Sequence, residues 1–262
     1  MPRRPVIRPS VLPALFRVSA LVTLTLAVAT CSQDGQQNEQ ASQTAPHTGI
    51  LQAPLPSAEK PSATVPGLPR KQASPVPLGS GFDFYVLSLS WSPSYCAIEG
   101  KRADRRQCGR GGPKGFVVHG LWPQYHKGYP ANCRSSEPER VPQQLLSAQR
   151  DVFPSDGLAA HEWRKHGTCS GLSQADYYKV TRMARDKVRV PRGLGGTVSA
   201  PETENAFVTA NKGLTRESIA VACELNHLSE VQICFDKALN FTNCPEVDRK
   251  GCRAGRVLMP TN

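Results

Sequence analysis

Two short segments of this sequence concentrate side chains that can donate, accept and hold protons. The first contains His119 and Trp122, and the second runs from 161 to 169 and begins His-Glu-Trp-Arg-Lys-His. Imidazole changes its charge between about pH 5 and 8, so it can serve as a general acid or a general base near neutral pH. Three of the six histidines lie in these two segments, which makes them the first candidates for catalysis.

The second segment places four polar side chains on one side of a predicted helix. Glu162 and His166 are four residues apart, and His161 and Lys165 form a neighbouring row with the same spacing. At 3.6 residues per turn the four side chains cover an arc of about 140°. An ordinary solvated helix face is the alternative, and it fits charged residues alone better than it fits two histidines and Trp163.

These residue types match the needs of RNA cleavage by the ribose 2′-hydroxyl. One imidazole can take the proton of that hydroxyl, and the other can protonate the departing 5′-oxygen. Lys165 and His161 suit the negative charge that gathers on the non-bridging oxygens, and Glu162 can orient or charge a neighbouring imidazole. We therefore expect a reaction without metal or other cofactor, and no cleavage of DNA, which lacks the attacking hydroxyl.

A zinc peptidase is the main alternative for the second segment, because His161-Glu162 starts like the motif HExxH. That motif needs its second histidine four residues after the first, on the same helix face. Position 165 is a lysine, and the next histidine comes one residue later. A lysine ammonium in a ligand position would repel the metal, so the sequence disfavours a zinc site.

The two segments resemble the two active-site segments of the ribonuclease T2 family. The resemblance extends to the end of the first predicted strand and to a segment near the C-terminus, and it covers nearly all of residues 80–262. Two motifs of this length, correctly ordered and separated, are far more specific than either alone. The matching motifs are His119-Gly120-Leu121-Trp122-Pro123, His161-Glu162-Trp163-x-Lys165-His166-Gly167-Thr168-Cys169, Trp91-x-Pro93-x-x-Cys96 and Leu228-x-Glu230-Val231-x-Ile233-Cys234.

The resemblance implies a role for each matching polar residue. His119 corresponds to the general acid of the cyclising step and His166 to its general base. The two exchange roles when the 2′,3′-cyclic phosphate is hydrolysed to a 3′-phosphate. Glu162 and Lys165 correspond to transition-state stabilisers, with Lys165 in contact with the substrate, and His161 corresponds to a phosphate-binding histidine.

The resemblance also implies how the base is bound. Trp122 corresponds to an aromatic residue that stacks on a base, a contact open to every nucleobase, although a core tryptophan is the alternative. Gln124 stands where some members carry an Asp that recognises the base, and residues 158–159 are Leu-Ala where many members have aromatic residues. We therefore expect low base specificity on single-stranded RNA. Trp91 and Trp163 are expected in the core.

The cysteine count favours disulfides over a metal cluster. Of nine cysteines, eight lie after residue 80, and none of these forms a CxxC pair. An even number in an exported domain indicates disulfides, although eight cysteines allow 105 pairings. The family resemblance implies the pairs Cys96–Cys108, Cys133–Cys169, Cys223–Cys252 and Cys234–Cys244.

The hydrophobic pattern predicts an α+β domain. Strands are predicted over 84–91, 115–119, 219–225 and 231–236. One helix is predicted from Ser155 or Asp156 to Gly167, and another begins at Ser173, which opens a capping box with Asp176. Because strands and helices do not alternate regularly, we expect an antiparallel β-sheet with flanking α-helices, stabilised by disulfides.

The first 79 residues have the composition of an export signal followed by a linker. Residues 1–30 combine arginines with an apolar stretch too short to span a bilayer, which predicts a signal peptide; an uncleaved anchor is the alternative. Cys31 follows Val-Ala-Thr, which resembles a lipoprotein box, so a lipid anchor there is a further possibility. Residues 31–79 are rich in Pro, Ser and Gln, which predicts a disordered linker. The catalytic domain is then 80–262, in a periplasmic or extracellular protein.

The net charge of +11 supports a polyanionic partner without selecting one. A basic domain attracts RNA, anionic lipid and anionic glycan alike. Together with the motifs, it favours an exported endoribonuclease that acts on RNA as a monomer. The alternatives are a catalytically silent RNA- or partner-binding protein on the same fold, whose signature would be loss of His119 or His166, and a secreted enzyme of another class.

Overall fold

A computed structural model describes residues 75–261, which form a mixed domain around one six-stranded sheet. The sheet order is β2-β1-β5-β6-β3, and β4 also pairs with β5. The pairings are antiparallel except for a single parallel pair between β5 and β6. The strands are β1 (Phe84–Trp91), β2 (Phe116–Gln124), β3 (Gly196–Val198), β4 (Ile219–Glu224), β5 (His227–Phe235) and β6 (Val257–Met259).

Seven α-helices lie in this part of the chain, and three of them contribute large aromatic side chains to the core. Trp163, Tyr177 and Phe207 are fully buried in the same cluster as Tyr85 and Leu87 of β1, and the Tyr177 hydroxyl donates to the carbonyl of Leu121 at 3.0 Å. The helices are α1 (Ser92–Glu99), α2 (Arg105–Cys108), α3 (Gln143–Ser147), α4 (Asp156–Lys165), α5 (Gln174–Lys187), α6 (Ala200–Ala210) and α7 (Pro245–Asp248).

The α+β fold class is confirmed, and the predicted helix starts agree with the structure. Ser155 caps α4 by accepting from the N–H of Leu158, and Ser173 caps α5 by accepting from the N–H of Asp176. Trp91 and Trp163 lie in the core as expected. The strand β1 differs from its alternating pattern because both of its faces are buried. One face meets the large core and the other packs on a small cluster with Val247 of α7.

The first predicted strand ends at Trp91 as expected, whereas the second extends beyond its predicted end. Pro93 lies in the first turn of α1, where a missing N–H costs no hydrogen bond. The predicted second strand at 115–119 continues through Pro123 to Gln124, since β2 is an edge strand and tolerates proline. The helix α6, with a capping box between Ser199 and Glu202, was not predicted, and β5 starts at 227 instead of 231.

Four disulfides connect these elements: Cys96–Cys108, Cys133–Cys169, Cys223–Cys252 and Cys234–Cys244. They are the same four pairs that the family resemblance implies. The predicted signal peptide, Cys31 and most of the predicted linker lie outside the described residues. None of the helices within 75–261 is long and apolar enough to cross a membrane.

Candidate active site

The first site histidine occupies a bulge in the edge strand β2. In the pairing of β2 with β1, Leu89 faces Val118 and Ser88 faces Gly120, so His119 is the extra residue between them. A bulge of this kind redirects a side chain and is frequent beside active sites. Here it changes the alternation of the strand, so that Val118 and Leu121 are both fully buried while His119 lines a cavity.

His119 is held by a carboxylate from β5. Its Nδ1–H donates to Oε1 of Glu230, whose other oxygen accepts from Nε2 of Gln232 at 3.0 Å. The strand β1 lies between β2 and β5, and its small residue Ser88 is in register with both Gly120 and Gln232. Glu230 belongs to one of the four motifs, but no role was predicted for it. Its contact with His119 spans 111 residues, and local sequence patterns do not contain it.

A second carboxylate faces the other nitrogen of the same ring. Oε1 of Glu162 lies 3.7 Å from Nε2 of His119, and its Oε2 accepts a hydrogen bond from the Trp122 indole at 2.7 Å. Glu162 is 1% exposed, and burial raises its pKa despite the nearby positive charge of His119. Burial lowers the pKa of His119, but the hydrogen bond to Glu230 and the charges of Glu230 and Glu162 together raise it above its ordinary value.

His166 has surroundings of the opposite kind. It forms the C-terminal cap of α4, where its N–H donates to the carbonyl of Glu162 at 2.9 Å, and it is 5% exposed. Its Nδ1 is buried and has no hydrogen-bond partner among residues 75–261. Burial first, and then the positive charges of Lys165, His119 and His161, lower the pKa of His166 to about 3.

Trp122 lies between the two imidazoles. Its ring centroid is 5.3 Å from that of His119 in an edge-on arrangement and 5.4 Å from that of His166 at an interplanar angle of 34°. Gly120 makes room for this cluster, because a Cβ there would collide with the Glu162 carboxylate and the Trp122 indole nitrogen. Trp122 is half-buried and lines the cavity.

This catalytic cavity has a volume of about 290 Å³. The structure brings His119, Trp122, Glu162, Lys165 and His166 together in it, whereas His161 is exposed on the outer side of α4 and lines a neighbouring cavity. The sequence analysis missed several of the lining residues, and these are Val86, Tyr125, Gly128, Tyr129, Gln232, Glu246, Val247 and Lys250. Within residues 75–261, no three His, Cys, Asp or Glu side chains are placed to hold a metal ion.

A family model described as the Ribonuclease T2 family matches residues 82–244, which include every motif described above. The chain belongs to the ribonuclease T2 family. The residues that carry the sequence resemblance are therefore the same residues that form the site. Both histidine-containing segments lie inside the matched region.

Individual relatives agree with this membership in the T2 family. A ribonuclease of Aeromonas hydrophila is 49% identical over 113 residues, covering 43% of this chain and 49% of that protein. A probable ribonuclease of Haemophilus influenzae is 29% identical over 182 residues, covering 62% of this chain and 61% of that protein. The matches thus span about half to three fifths of the length of these relatives. The crystal structure of RNase NT in complex with 5′-AMP is 29% identical, with a TM-score of 0.53 and coverage of 70% and 100%.

Proposed function

We propose that this protein is an endoribonuclease that cleaves single-stranded RNA at low base specificity, first to 2′,3′-cyclic phosphate ends and then to 3′-phosphates. The opposite environments of the two imidazoles carry the proposal. His119 lies between two carboxylates, which favour its protonated form, while His166 is buried beside Lys165 and favours its neutral form. Two titratable groups with pKa values pushed apart are suited to act as the acid and the base of one reaction.

The cyclising step then assigns each proton to one atom. Because Nδ1 of His166 is buried without a partner, Nε2 is the nitrogen that takes the proton of the 2′-hydroxyl. The 2′-oxygen forms a bond to phosphorus, and the bond from phosphorus to the 5′-oxygen breaks. Nε2–H of His119 protonates that departing oxygen, and the cyclic phosphate and a 5′-hydroxyl end result. Lys165 stabilises the charge on the non-bridging oxygens, and Glu162 holds Trp122 and the His119 ring.

The second step reverses the two roles. The neutral His119 takes a proton from water, whose oxygen attacks phosphorus, and the protonated His166 returns its proton to the 2′-oxygen as the cyclic ester opens. Both histidines end in their starting states, and the product carries a 3′-phosphate. No step needs a metal or an external cofactor, and DNA is not a substrate since it has no 2′-hydroxyl.

The cavity wall supports binding of RNA bases by stacking. Trp122, Tyr125 and Tyr129 line it, and Tyr129 is 56% exposed, so an aromatic surface is open to any base. Gln124 lines the same cavity as these rings, and stacking does not distinguish one base from another, which supports low base specificity. The crystal structure of RNase NT in complex with 5′-AMP supports a nucleotide ligand.

The setting of the protein follows from its disulfides. Structural disulfides form and persist in oxidising compartments such as the periplasm or the extracellular space, which supports export of the enzyme. A lipid anchor at Cys31 stays a separate hypothesis. A catalytically silent binding protein on the same fold is disfavoured, because both histidines and their carboxylate and lysine neighbours are present in the site.

Incubation of the purified protein with yeast RNA and EDTA tests the proposal. We expect oligonucleotides with 2′,3′-cyclic phosphate ends to appear first and those with 3′-phosphate ends later, while a DNA of the same length stays intact. Activity that EDTA removes and zinc restores would contradict it, as would RNA binding without any cleavage.

A further inference from the structure

A second cavity opens on the outer side of α4, next to the catalytic cavity. This outer cavity measures about 170 Å³, and its lining residues are Asn132, Cys133, Glu139, His161, Arg164 and Lys165. Lys165 lines both cavities, so its side chain lies at the boundary between them. A chain of phosphates that passes Lys165 would therefore enter the outer cavity.

Three nitrogen-bearing side chains of α4 form one wall of the outer cavity. His161, Arg164 and Lys165 stand at positions i, i+3 and i+4, which lie side by side on a helix. Apart from the backbone bonds within α4, Arg164 and Lys165 take part in hydrogen bonds only as carbonyl acceptors. None of the three side chains has a hydrogen-bond or salt-bridge partner within residues 75–261. Their donors are free to bind a ligand.

The opposite wall is fixed by covalent and backbone bonds. The disulfide Cys133–Cys169 joins the loop before α3 to the turn after α4, and the N–H of Asn132 donates to the carbonyl of Lys165 at 2.8 Å. The backbone of Asn132 and Cys133 is therefore held in place beside α4 by the fold.

The charge of the outer cavity favours an anion. Two cationic side chains, Arg164 and Lys165, line it against one carboxylate, that of Glu139. Burial first, and then the positive charges of Lys165, Arg164 and His119, lower the pKa of His161. Glu139 lies exposed at the rim and forms no salt bridge with the three side chains. Arg164 presents a planar fork of donors that matches the oxygens of a phosphodiester.

We propose that the outer cavity binds the phosphodiester adjacent to the one that is cleaved, with Arg164 as its ligand. This inference rests on the proposed ribonuclease function and adds a second phosphate site to it. Lys165 then lies between the two phosphates and stabilises both. An RNA with a further phosphodiester on the side of the cleaved bond that faces the outer cavity is then a better substrate than a dinucleotide, which has only the cleaved phosphodiester.

Oligonucleotides with one ribonucleotide in a deoxyribose chain test the second phosphate site, since only one bond in them can be cleaved. The smallest substrate has a single phosphodiester, and it is extended by one deoxynucleotide on the 3′ side or on the 5′ side. The extension gain is kcat/KM of the extended substrate divided by kcat/KM of the smallest one. For the wild type we expect a gain above one on one side, which falls as salt rises.

Variants of the outer cavity should change this gain in predictable directions. Arg164→Ala should lower it by roughly two- to fivefold. It should also reduce the slope of log gain against log salt concentration by about 0.7, the value for one lost phosphate contact on a single strand. Arg164→Lys should keep an intermediate gain, and Glu139→Gln should raise it. The matched control is Arg192→Ala, which removes an exposed arginine outside both cavities and should keep the wild-type gain.

An equal gain in the wild type and Arg164→Ala would overturn the second phosphate site, and so would a wild type that gains nothing on either side. If the wild type cleaves none of the substrates, the proposed function itself fails, and this inference fails with it.

Discussion

At the scale of single residues, the two imidazoles of the site are distinguished by what touches them. His119 contacts the carboxylates of Glu230 and Glu162, whereas the His166 ring, within the described part of the chain, contacts no carboxylate and has an unpartnered Nδ1. The general base must be neutral, so the acid limb of the pH–rate profile follows the lowered pKa of His166. The general acid must be protonated, so the alkaline limb follows the raised pKa of His119. Activity should therefore extend over a broad range between the two limbs.

Glu230→Gln should narrow that range from the alkaline side only. Glutamine keeps a hydrogen-bond acceptor for Nδ1–H of His119 but removes the negative charge, so the pKa of His119 should fall by about 1 to 3. The measurement is kcat/KM against pH with a dinucleotide substrate. The control Glu224→Gln makes the same change at an exposed position on β4 and should leave the alkaline limb in place. If the alkaline limb does not move in Glu230→Gln, Glu230 does not raise the pKa of His119.

The residue types were predictable from the sequence, while their partners were not. Spacing on one helix places Glu162 with His166 and His161 with Lys165, because these relations are local. The Glu230 contact joins two strands that are not neighbours in the sheet, so only the folded structure reveals it. For the same reason, the sequence did not show that His161 faces a different cavity from His166.

At the scale of elements, a bulge and a glycine in β2 determine which side chains can meet in the site. The bulge turns His119 toward the cavity, and the next residue, Gly120, lets the Glu162 carboxylate approach the strand. Gly120→Ala should push Glu162 and Trp122 apart. We expect a loss of about 1–3 kcal/mol in the free energy of unfolding and a fall of at least tenfold in kcat, since each acid–base contribution is about a hundredfold or more.

Urea unfolding and steady-state kinetics measure the two effects of Gly120→Ala. Gly255→Ala is the matched control, because a Cβ at that position has no neighbour within 4 Å, and it should resemble the wild type in both measurements. A Gly120→Ala protein with wild-type kcat would refute the close approach of Glu162 to β2.

Caps of helices were predictable because they are local, whereas the end of β2 was predicted too early because it depends on position in the fold. Ser155 and Ser173 cap their helices through residues three positions away. Pro123 is compatible with a strand only because β2 is at the sheet edge, a property that no local window of sequence contains. The small strands β3 and β6 are three residues each, too short for an alternating pattern.

At the scale of the whole molecule, the disulfides connect stability to the site. Cys169 follows His166 by three residues, and its bond to Cys133 closes a separation of 36 residues. Cys133→Ser with Cys169→Ser should lower the free energy of unfolding by about 2–4 kcal/mol and should also lower kcat, because the end of α4 loses its tether. The control pair Cys223→Ser with Cys252→Ser closes a similar separation of 29 residues, so it should lower stability alone.

Activity of both double variants is measured well below their midpoints of thermal unfolding, so that the folded proteins are compared. Equal kcat in the two variants would contradict a specific role of the Cys133–Cys169 bond at the site. The proposed export signal, Cys31 and linker are separate questions, since they lie outside residues 75–261.

The most direct test of which histidine is the general acid and which is the general base compares two leaving groups at the scissile phosphate. A 3′-phosphodiester of uridine with a nitrophenol in place of the 5′-nucleoside needs little acid catalysis, because nitrophenolate departs without a proton. With RNA, His119→Ala and His166→Ala should each lose a hundredfold to ten-thousandfold in kcat, the range of one acid–base contribution. With the nitrophenyl ester, His119→Ala should recover much of its activity and His166→Ala should stay nearly inactive. Recovery of His166→Ala instead would show that the acid and base are reversed, and full activity of both variants on RNA would contradict catalysis by this pair.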